Sequence, residues 1–144
     1  MKVEVKLIEG LAQSYAVIYT EIIDEEIQNI VSLIGNYNGV VTVIDNERML
    51  VLKESDIYMI RVEDKKTIIY CKSKQYMSKK RLCELEKELK HNFMRISKTT
   101  LINLKYIEGV EAAFGGVMLL IMKNGCKDYV SRKYLPDLKK YLGI

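Results

Sequence analysis

Short stretches of alternating apolar and polar residues run along this chain, and three stretches change to a helical spacing. Alternation is typical of strands with one buried face, whereas apolar residues three or four positions apart mark one face of a helix. The pattern predicts a mainly β (α+β) fold with three helices. The predicted strands span residues 2–8, 15–20, 40–44, 49–52, 56–62, 67–71, 74–77, 106–112, 117–122 and 126–130.

The first 38 residues predict a β-β-α unit. Its helix begins after Asp24, a residue type that caps helices, and stops at Gly35. One face of this helix is apolar, at Ile23, Ile27, Ile30, Val31 and Ile34. The unit is too small to cover its own elements, so we expect it to pack on the rest of the chain or on a second copy. The run 36–39 predicts a boundary between this appendage, residues 1–38, and a domain of residues 39–144.

The other two predicted helices each have an apolar stripe. One spans residues 79–90, with Ser78 as its cap and an inward stripe of Leu82, Leu85 and Leu89. The last helix follows Ser131, which serves as its cap, and it carries Leu135, Leu138 and Leu142 inward. Pro136 must lie in its first turn, where a missing N–H costs least, and Gly143 ends it.

A polar bend inside an apolar frame distinguishes residues 93–107. The expected apolar anchors are Phe93, Ile96, Leu101, Ile102 and Ile107. Between them, residues 97–100 read Ser-Lys-Thr-Thr, too short for a linker and too polar for a core. A bend pinned on both sides can hold Lys98 outward, as a recognition loop requires.

Other polar turns join neighbouring strands, at residues 45–48 and 63–66. The strongest turn signal is Asn124-Gly125, which predicts a type I′ hairpin with both residues at positive φ.

Composition excludes several classes of protein. The 144 residues contain no apolar run of the roughly 20 residues that a membrane span needs, and the N-terminus has no signal-peptide pattern. Three widely spaced cysteines without a CxxC predict free thiols, with no metal site and no cofactor. His91 has no nucleophile beside it, and no phosphate-binding glycine loop occurs, so we expect no enzyme and no small-molecule substrate.

The charge is divided unevenly along the chain. Residues 1–60 carry 4 Lys or Arg and 10 Asp or Glu, a net −6, whereas residues 61–144 carry 19 and 9, a net +10. Three basic, hydroxyl-rich loops lie in the second part, at residues 65–67, 95–100 and 131–133. Lys and Arg bind phosphates and can also read guanine in the major groove. Each loop alone is ordinary turn polarity, but three in one basic half favour nucleic acid.

Two alternatives remain from the residues alone. A non-enzymatic protein-interaction module could use the basic half to bind an acidic partner or an anionic membrane. Single-stranded RNA binding would need exposed aromatic residues among the basic ones, and strand patterning favours core packing for most tyrosines.

Four motifs in order resemble the LytTR DNA-binding domain of bacterial transcription regulators. They are Asp56-Ile57-Tyr58-Met59-Ile60, the stretch from Tyr76 to Leu89, the stretch 93–107 with Arg95, Ser97, Lys98, Asn103 and Ile107, and Asn124-Gly125 followed by Val130-Ser131-Arg132-Lys133-Tyr134. The resemblance covers roughly residues 39–144. It implies small antiparallel sheets stacked into an elongated body with flanking helices, whose loops enter successive major grooves of double-stranded DNA.

The resemblance also implies the site and the partners. The expected DNA-binding residues are Lys66, Thr67, Arg95, Ser97, Lys98, Thr99, Ser131, Arg132 and Lys133. Asn103 has a structural alternative, which is capping of the local turn. The chain looks like the short, receiver-less regulators of this family. We therefore expect a cytoplasmic protein that is a homodimer at least on DNA. Control by dimerisation through residues 1–38, or by a small membrane protein, is the hypothesis.

Overall fold

The structure, a computed structural model, describes residues 1–12, 14–36, 40–89 and 92–144. The helices are α1 (Glu25–Asn36), α2 (Leu82–Glu88) and α3 (Leu135–Leu142). The strands are β1 (Val40–Asp45), β2 (Arg48–Lys53), β3 (Met59–Glu63), β4 (Lys66–Tyr70), β5 (Gln75–Ser78), β6 (Phe93–Ser97), β7 (Thr100–Asn103), β8 (Ile107–Ala112), β9 (Met118–Met122) and β10 (Lys127–Val130).

These strands form three antiparallel sheets. β1 and β2 make a hairpin, the order β5-β4-β3-β7-β6 makes the central sheet, and β10-β9-β8 makes a third. The predicted mainly β fold of small antiparallel sheets with flanking helices is confirmed. In the part of the chain that the structure describes, no helix is long and apolar enough to cross a membrane.

The central sheet separates two apolar cores, because successive side chains of a strand point to opposite faces. Ile60 and Leu101 pack on one face with the β1–β2 hairpin and α2. Met59 and Ile102 pack on the other face with the third sheet and α3. The sheet is therefore covered on both faces, and its loops emerge at its ends.

The prediction of two N-terminal strands is wrong for the described residues. Neither 2–8 nor 15–20 forms a strand, and their apolar side chains other than Ile18 are exposed, with Leu7 at 98%. A strand needs a neighbour for its N–H and C=O groups, and alternation in the sequence does not supply one. The predicted cap of α1 is confirmed, because the Asp24 Oδ1 accepts the Ile27 N–H at 3.0 Å. The helix continues past Gly35 to Asn36, and residues 37–39 of the predicted boundary lie outside the described part.

Helix α2 begins later than predicted. The Ser78 hydroxyl accepts the Lys80 N–H at 3.1 Å and so closes a bend before the helix, rather than capping it. The Glu84 carboxylate accepts the Arg81 N–H at 2.9 Å, which makes Arg81 the N-terminal cap residue. The predicted leucine stripe is confirmed, since Leu82, Leu85 and Leu89 are buried. Residues 90 and 91, and with them the interpretation of His91, lie outside the described part.

Helix α3 also begins later than Ser131. The Ser131 carbonyl accepts the N–H groups of Tyr134 and Leu135 at 3.0 and 3.1 Å, so this residue forms a turn and does not cap the helix. The predictions for Pro136, in the first turn, and for Gly143, in the left-handed conformation after the last turn, are confirmed.

The Asn124-Gly125 turn differs from its prediction. Of these two residues, Gly125 has a positive φ of 90°, and Asn124 does not have a positive φ. The loop has three residues, and the Gly125 N–H donates to the Met122 carbonyl at 2.9 Å. The Asn124 side chain accepts the Cys126 N–H and donates to the Cys71 carbonyl, at 3.1 and 2.8 Å. These two bonds favour the three-residue loop over the predicted two-residue turn, because the Asn124 side chain also joins the third sheet to the central sheet.

Candidate nucleic-acid interface

The β6–β7 turn is held from within by Arg95. Its Nη1 donates to the Lys98 carbonyl at 2.7 Å, and its Nε donates to the Glu86 carboxylate at 2.6 Å. Only 18% of the Arg95 side chain is exposed, whereas Lys98 is an exposed residue of the turn. Arg95 thus fixes the turn from which Lys98 projects.

Hydroxyl groups complete the same turn. The Ser97 Oγ accepts the Thr99 N–H at 3.2 Å and lies 3.3 Å from the Thr99 Oγ1. The Thr99 carbonyl accepts the Val62 N–H of β3 at 2.9 Å. The tip of the turn is therefore tied to the neighbouring strand, and Lys98 and Thr99 remain exposed.

A single main-chain bond brings the third basic loop to this turn. The Ser131 N–H donates to the Ile96 carbonyl of β6 at 2.8 Å. Arg132, exposed, donates through Nη2 to the Gly115 carbonyl at 2.7 Å, and the Lys133 ammonium lies 5.4 Å from the centre of the Tyr134 ring. Residues 131–133 thus lie beside the Lys98 turn, although they follow a strand of the third sheet, β10.

The first basic loop lies at the same end of the central sheet. Asp64 and Lys65 have φ of 49° and 64° and form the β3–β4 turn, next to the paired residues Glu63 and Lys66. Since β3 also bonds to the Lys98 turn, both turns leave the sheet at one end. Lys66 is exposed, but Thr67 is only 7% exposed and pairs within the sheet.

A polar network behind these loops joins the central sheet to the third sheet. The Arg61 guanidinium donates to Glu63 at 2.9 Å, to the Tyr70 hydroxyl at 3.1 Å and to the Lys127 carbonyl at 3.2 Å. The Tyr70 hydroxyl in turn donates to Glu63 at 2.9 Å. Burial raises the pKa of the Tyr70 phenol, which keeps it protonated as a donor.

Sequence reasoning missed Arg61. The sequence feature that could have identified it is a charged residue at a core-facing position of a mostly apolar stretch, Met-Ile-Arg-Val. The Arg61 side chain is half-buried, 26% exposed, and its pairing offsets the cost of removing part of the charge from water. The pairing fixes the two sheets relative to each other, and with them the loops that they carry.

Asn103 confirms the capping alternative. Its side chain, 1% exposed, accepts the Lys105 N–H at 3.1 Å and donates to the carbonyls of Ile57 and Glu54 at 2.9 and 3.2 Å. All the hydrogen-bonding groups of the amide are engaged at the end of the sheet away from the Lys98 turn.

The LytTr DNA-binding domain family matches residues 47–143. An HTH-type transcriptional regulator of Staphylococcus aureus strain NCTC 8325 is 27% identical over 146 aligned positions, covering 100% of this chain and 99% of the relative. A second, from strain MSSA476, is 28% identical over 134 positions, covering 92% and 91%. A solved LytTr DNA-binding domain from Bacillus cereus superposes with a TM-score of 0.67 at 27% identity, covering 73% of this chain and 97% of that domain.

The Staphylococcus relatives are named as helix-turn-helix regulators, but the described residues of this chain contain no helix-turn-helix motif. Its three described helices are separated along the chain by strands, so no two of them are joined by a simple turn. Of the expected DNA-binding cations, the exposed ones, Lys66, Lys98, Arg132 and Lys133, lie at or beyond strand ends instead.

Proposed function

This chain belongs to the LytTr DNA-binding domain family, and we propose that it is a transcriptional regulator that reads duplex DNA with loops rather than with a recognition helix. The observation that carries this proposal is the Ser131–Ile96 bond, which sets the basic loop 131–133 beside the Lys98 turn. Since the target is genomic DNA, the proposed location is the cytoplasm.

Seven of the nine expected contact residues divide into two roles under this proposal. Lys66, Lys98, Arg132 and Lys133 are exposed cations, and we assign them to phosphates and base edges in successive major grooves. Arg95, Ser97 and Ser131 hold the loops in place through the bonds described above. The Thr99 hydroxyl lies at the exposed tip, whereas Thr67 has little surface with which to touch DNA.

Substitution of Lys98 by Ala tests the contact assignment. Loss of one base contact should weaken binding to a duplex selected from a random pool by about 1–3 kcal/mol, or about 5- to 150-fold. Loss of a phosphate contact alone should weaken all duplexes alike and lower the salt slope by about 1. Electrophoretic mobility shift with a salt titration measures both.

Lys105→Ala is the matched control. Lys105 is also an exposed lysine in a turn, but it lies past β7, at the opposite end of the central sheet, and only its backbone N–H bonds to Asn103. Equal losses for the two variants, or unchanged binding by Lys98→Ala, would remove Lys98 from the interface.

The division of the chain and its self-association are also proposals. Residues 1–38 would form a dimerisation appendage and residues 39–144 the DNA-binding domain. Support for the appendage comes from Val31 and Leu33, which are exposed on α1. Sedimentation equilibrium of Leu33→Glu should show a lighter species than wild type. Met77→Glu, at an exposed apolar site on β5, should not.

A small membrane protein is the proposed regulatory partner. The exposed apolar side chains of residues 1–12 and 14–24 support this, because they offer contact area that the described chain does not cover. Fractionation of cells should find some of the full-length protein with the membrane, and deletion of residues 1–24 should release it.

A further inference from the structure

A fourth basic segment, residues 79–81, leaves the central sheet at the same end as the loops described above. Ser78, the last residue of β5, pairs with Thr67 of β4. In antiparallel register the next residue, Lys79, comes beside Lys66. The sheet order then sets four basic sites in a row, namely 79–81 after β5, Lys65 and Lys66 between β4 and β3, Lys98 between β7 and β6, and 131–133 tied to β6.

Within the described part of the chain, Lys80 is the one cation of this row that forms an ion pair. The ion pairs there are Arg61–Glu63, Arg61–Asp128, Lys80–Glu88 and Arg95–Glu86. Lys66, Lys79 and Arg81 are exposed and take part in none of them. Like charges opposite each other on neighbouring strands destabilise a sheet. A polyanion laid across the row would relieve this repulsion.

Two of the three cations of this segment, Lys79 and Arg81, are exposed, whereas Lys80 is half-buried. The Lys80 ammonium is held by Glu88 at 2.6 Å and is not available to a ligand. The Ser78 hydroxyl accepts the Lys80 N–H and closes a bend at residues 79 and 80, directly after β5. The Arg81 backbone is fixed by Glu84, and its side chain caps nothing.

Distance decides which part of DNA this segment reaches. Neighbouring strands lie about 4.8 Å apart, so the end of β5 is about 17 Å from the midpoint between β7 and β6, where Lys98 projects. The major groove of B-DNA is about 12 Å wide. A duplex that takes Lys98 into its major groove therefore presents its flanking sugar-phosphate backbone, and not base edges, to residues 79–81.

We propose that Lys79 and Arg81 form a phosphate clamp on the DNA backbone that flanks the groove read by the Lys98 turn. This inference rests on the proposed DNA-binding function. The clamp contributes affinity for any duplex and no preference for sequence, because the phosphates of a DNA strand are the same at every base.

The test compares Lys79→Ala/Arg81→Ala with Lys72→Ala/Lys74→Ala by fluorescence anisotropy on a labelled duplex of about 30 base pairs, over a range of salt. Both double variants remove two exposed positive charges, but Lys72 and Lys74 lie in the β4–β5 turn, at the opposite end of the sheet. Two lost phosphate contacts should lower the salt slope by about 1.8 and the affinity at 0.1 M salt by about 60-fold. The Lys72/Lys74 variant should match wild type within about twofold.

The clamp is refuted if the Lys79/Arg81 variant keeps the wild-type slope, or if both variants lose affinity equally. A changed ranking of duplex sequences would also refute it, since that would mean base readout. Urea unfolding of both variants checks that neither loss comes from unfolding. If wild type binds no duplex even at low salt, the proposed function fails as well, so the two failures are distinguishable.

Discussion

Asn103→Ala should destabilise the fold while leaving the DNA-facing loops intact. The amide is buried and makes three bonds, to Lys105, Ile57 and Glu54. The Glu54 carbonyl keeps another donor, the Ile57 N–H at 3.2 Å, so its loss is small. The Ile57 carbonyl is left unpaired in a buried place, and the turn at Lys105 loses its cap.

The magnitude follows from these two losses. A cap contributes about 1 kcal/mol, and a buried polar group left without a partner costs about 1–3 kcal/mol. Together they predict a loss of about 2–4 kcal/mol, a large share of the 5–15 kcal/mol that typically stabilises a domain. With a slope of about 1.5 kcal/mol per M, the urea midpoint should fall by about 1.3–2.7 M.

Urea unfolding followed by circular dichroism measures this loss. Asn103→Asp is the second variant, because it keeps the acceptor for Lys105 and removes both donations. A fall of less than about 1 kcal/mol for Asn103→Ala would show that the Ile57 carbonyl finds another partner. Loss of DNA affinity in a fully folded Asn103→Ala protein would show that the residue touches DNA, against the capping role.

Two further predictions concern an ion pair and two cysteines on the α2 side of the central sheet. Arg95→Ala should weaken DNA binding, because the Lys98 carbonyl loses its donor. The free energy of unfolding should fall by less than about 1 kcal/mol, since the Arg95–Glu86 ion pair is partly exposed. Glu86→Gln keeps the bond from Arg95 to Lys98 and should bind DNA like wild type in the same mobility-shift assay. Iodoacetamide at pH 8 should alkylate exposed Cys83 before Cys71, as mass spectrometry can follow, because burial, with Asp56 nearby, raises the pKa of the Cys71 thiol to about 11. The contribution of the neutral Cys71 thiol to the free energy of unfolding is therefore complete at pH values below 9.0, its ordinary pKa. This contribution should disappear as pH rises through about 11.

The sequence predicts those parts of the fold in which local pattern and tertiary packing agree. Strand β1 alternates because one of its faces is buried and the other is exposed, and the leucines of α2 are spaced for one of the cores. The cap Asp24 and the stop Gly143 were predictable because each acts through bonds within a few residues.

What the sequence could not predict depends on partners far along the chain. The alternation in residues 2–8 is as clear as in any strand, yet no described strand lies beside it. Arg95 looks like a DNA-contacting cation until the structure shows its bonds to Glu86 and the Lys98 carbonyl. The register that brings Lys79 beside Lys66 is likewise invisible before the strands are paired.

The bond between Ser131 and Ile96 has an evolutionary consequence. It joins a main-chain N–H to a main-chain carbonyl, groups that almost any residue supplies. The side chains at 98, 132 and 133 can therefore be exchanged without disturbing the junction that positions them. Descendants of this sequence could acquire new target sites by single substitutions at these positions, while the distance between the two loops is inherited unchanged.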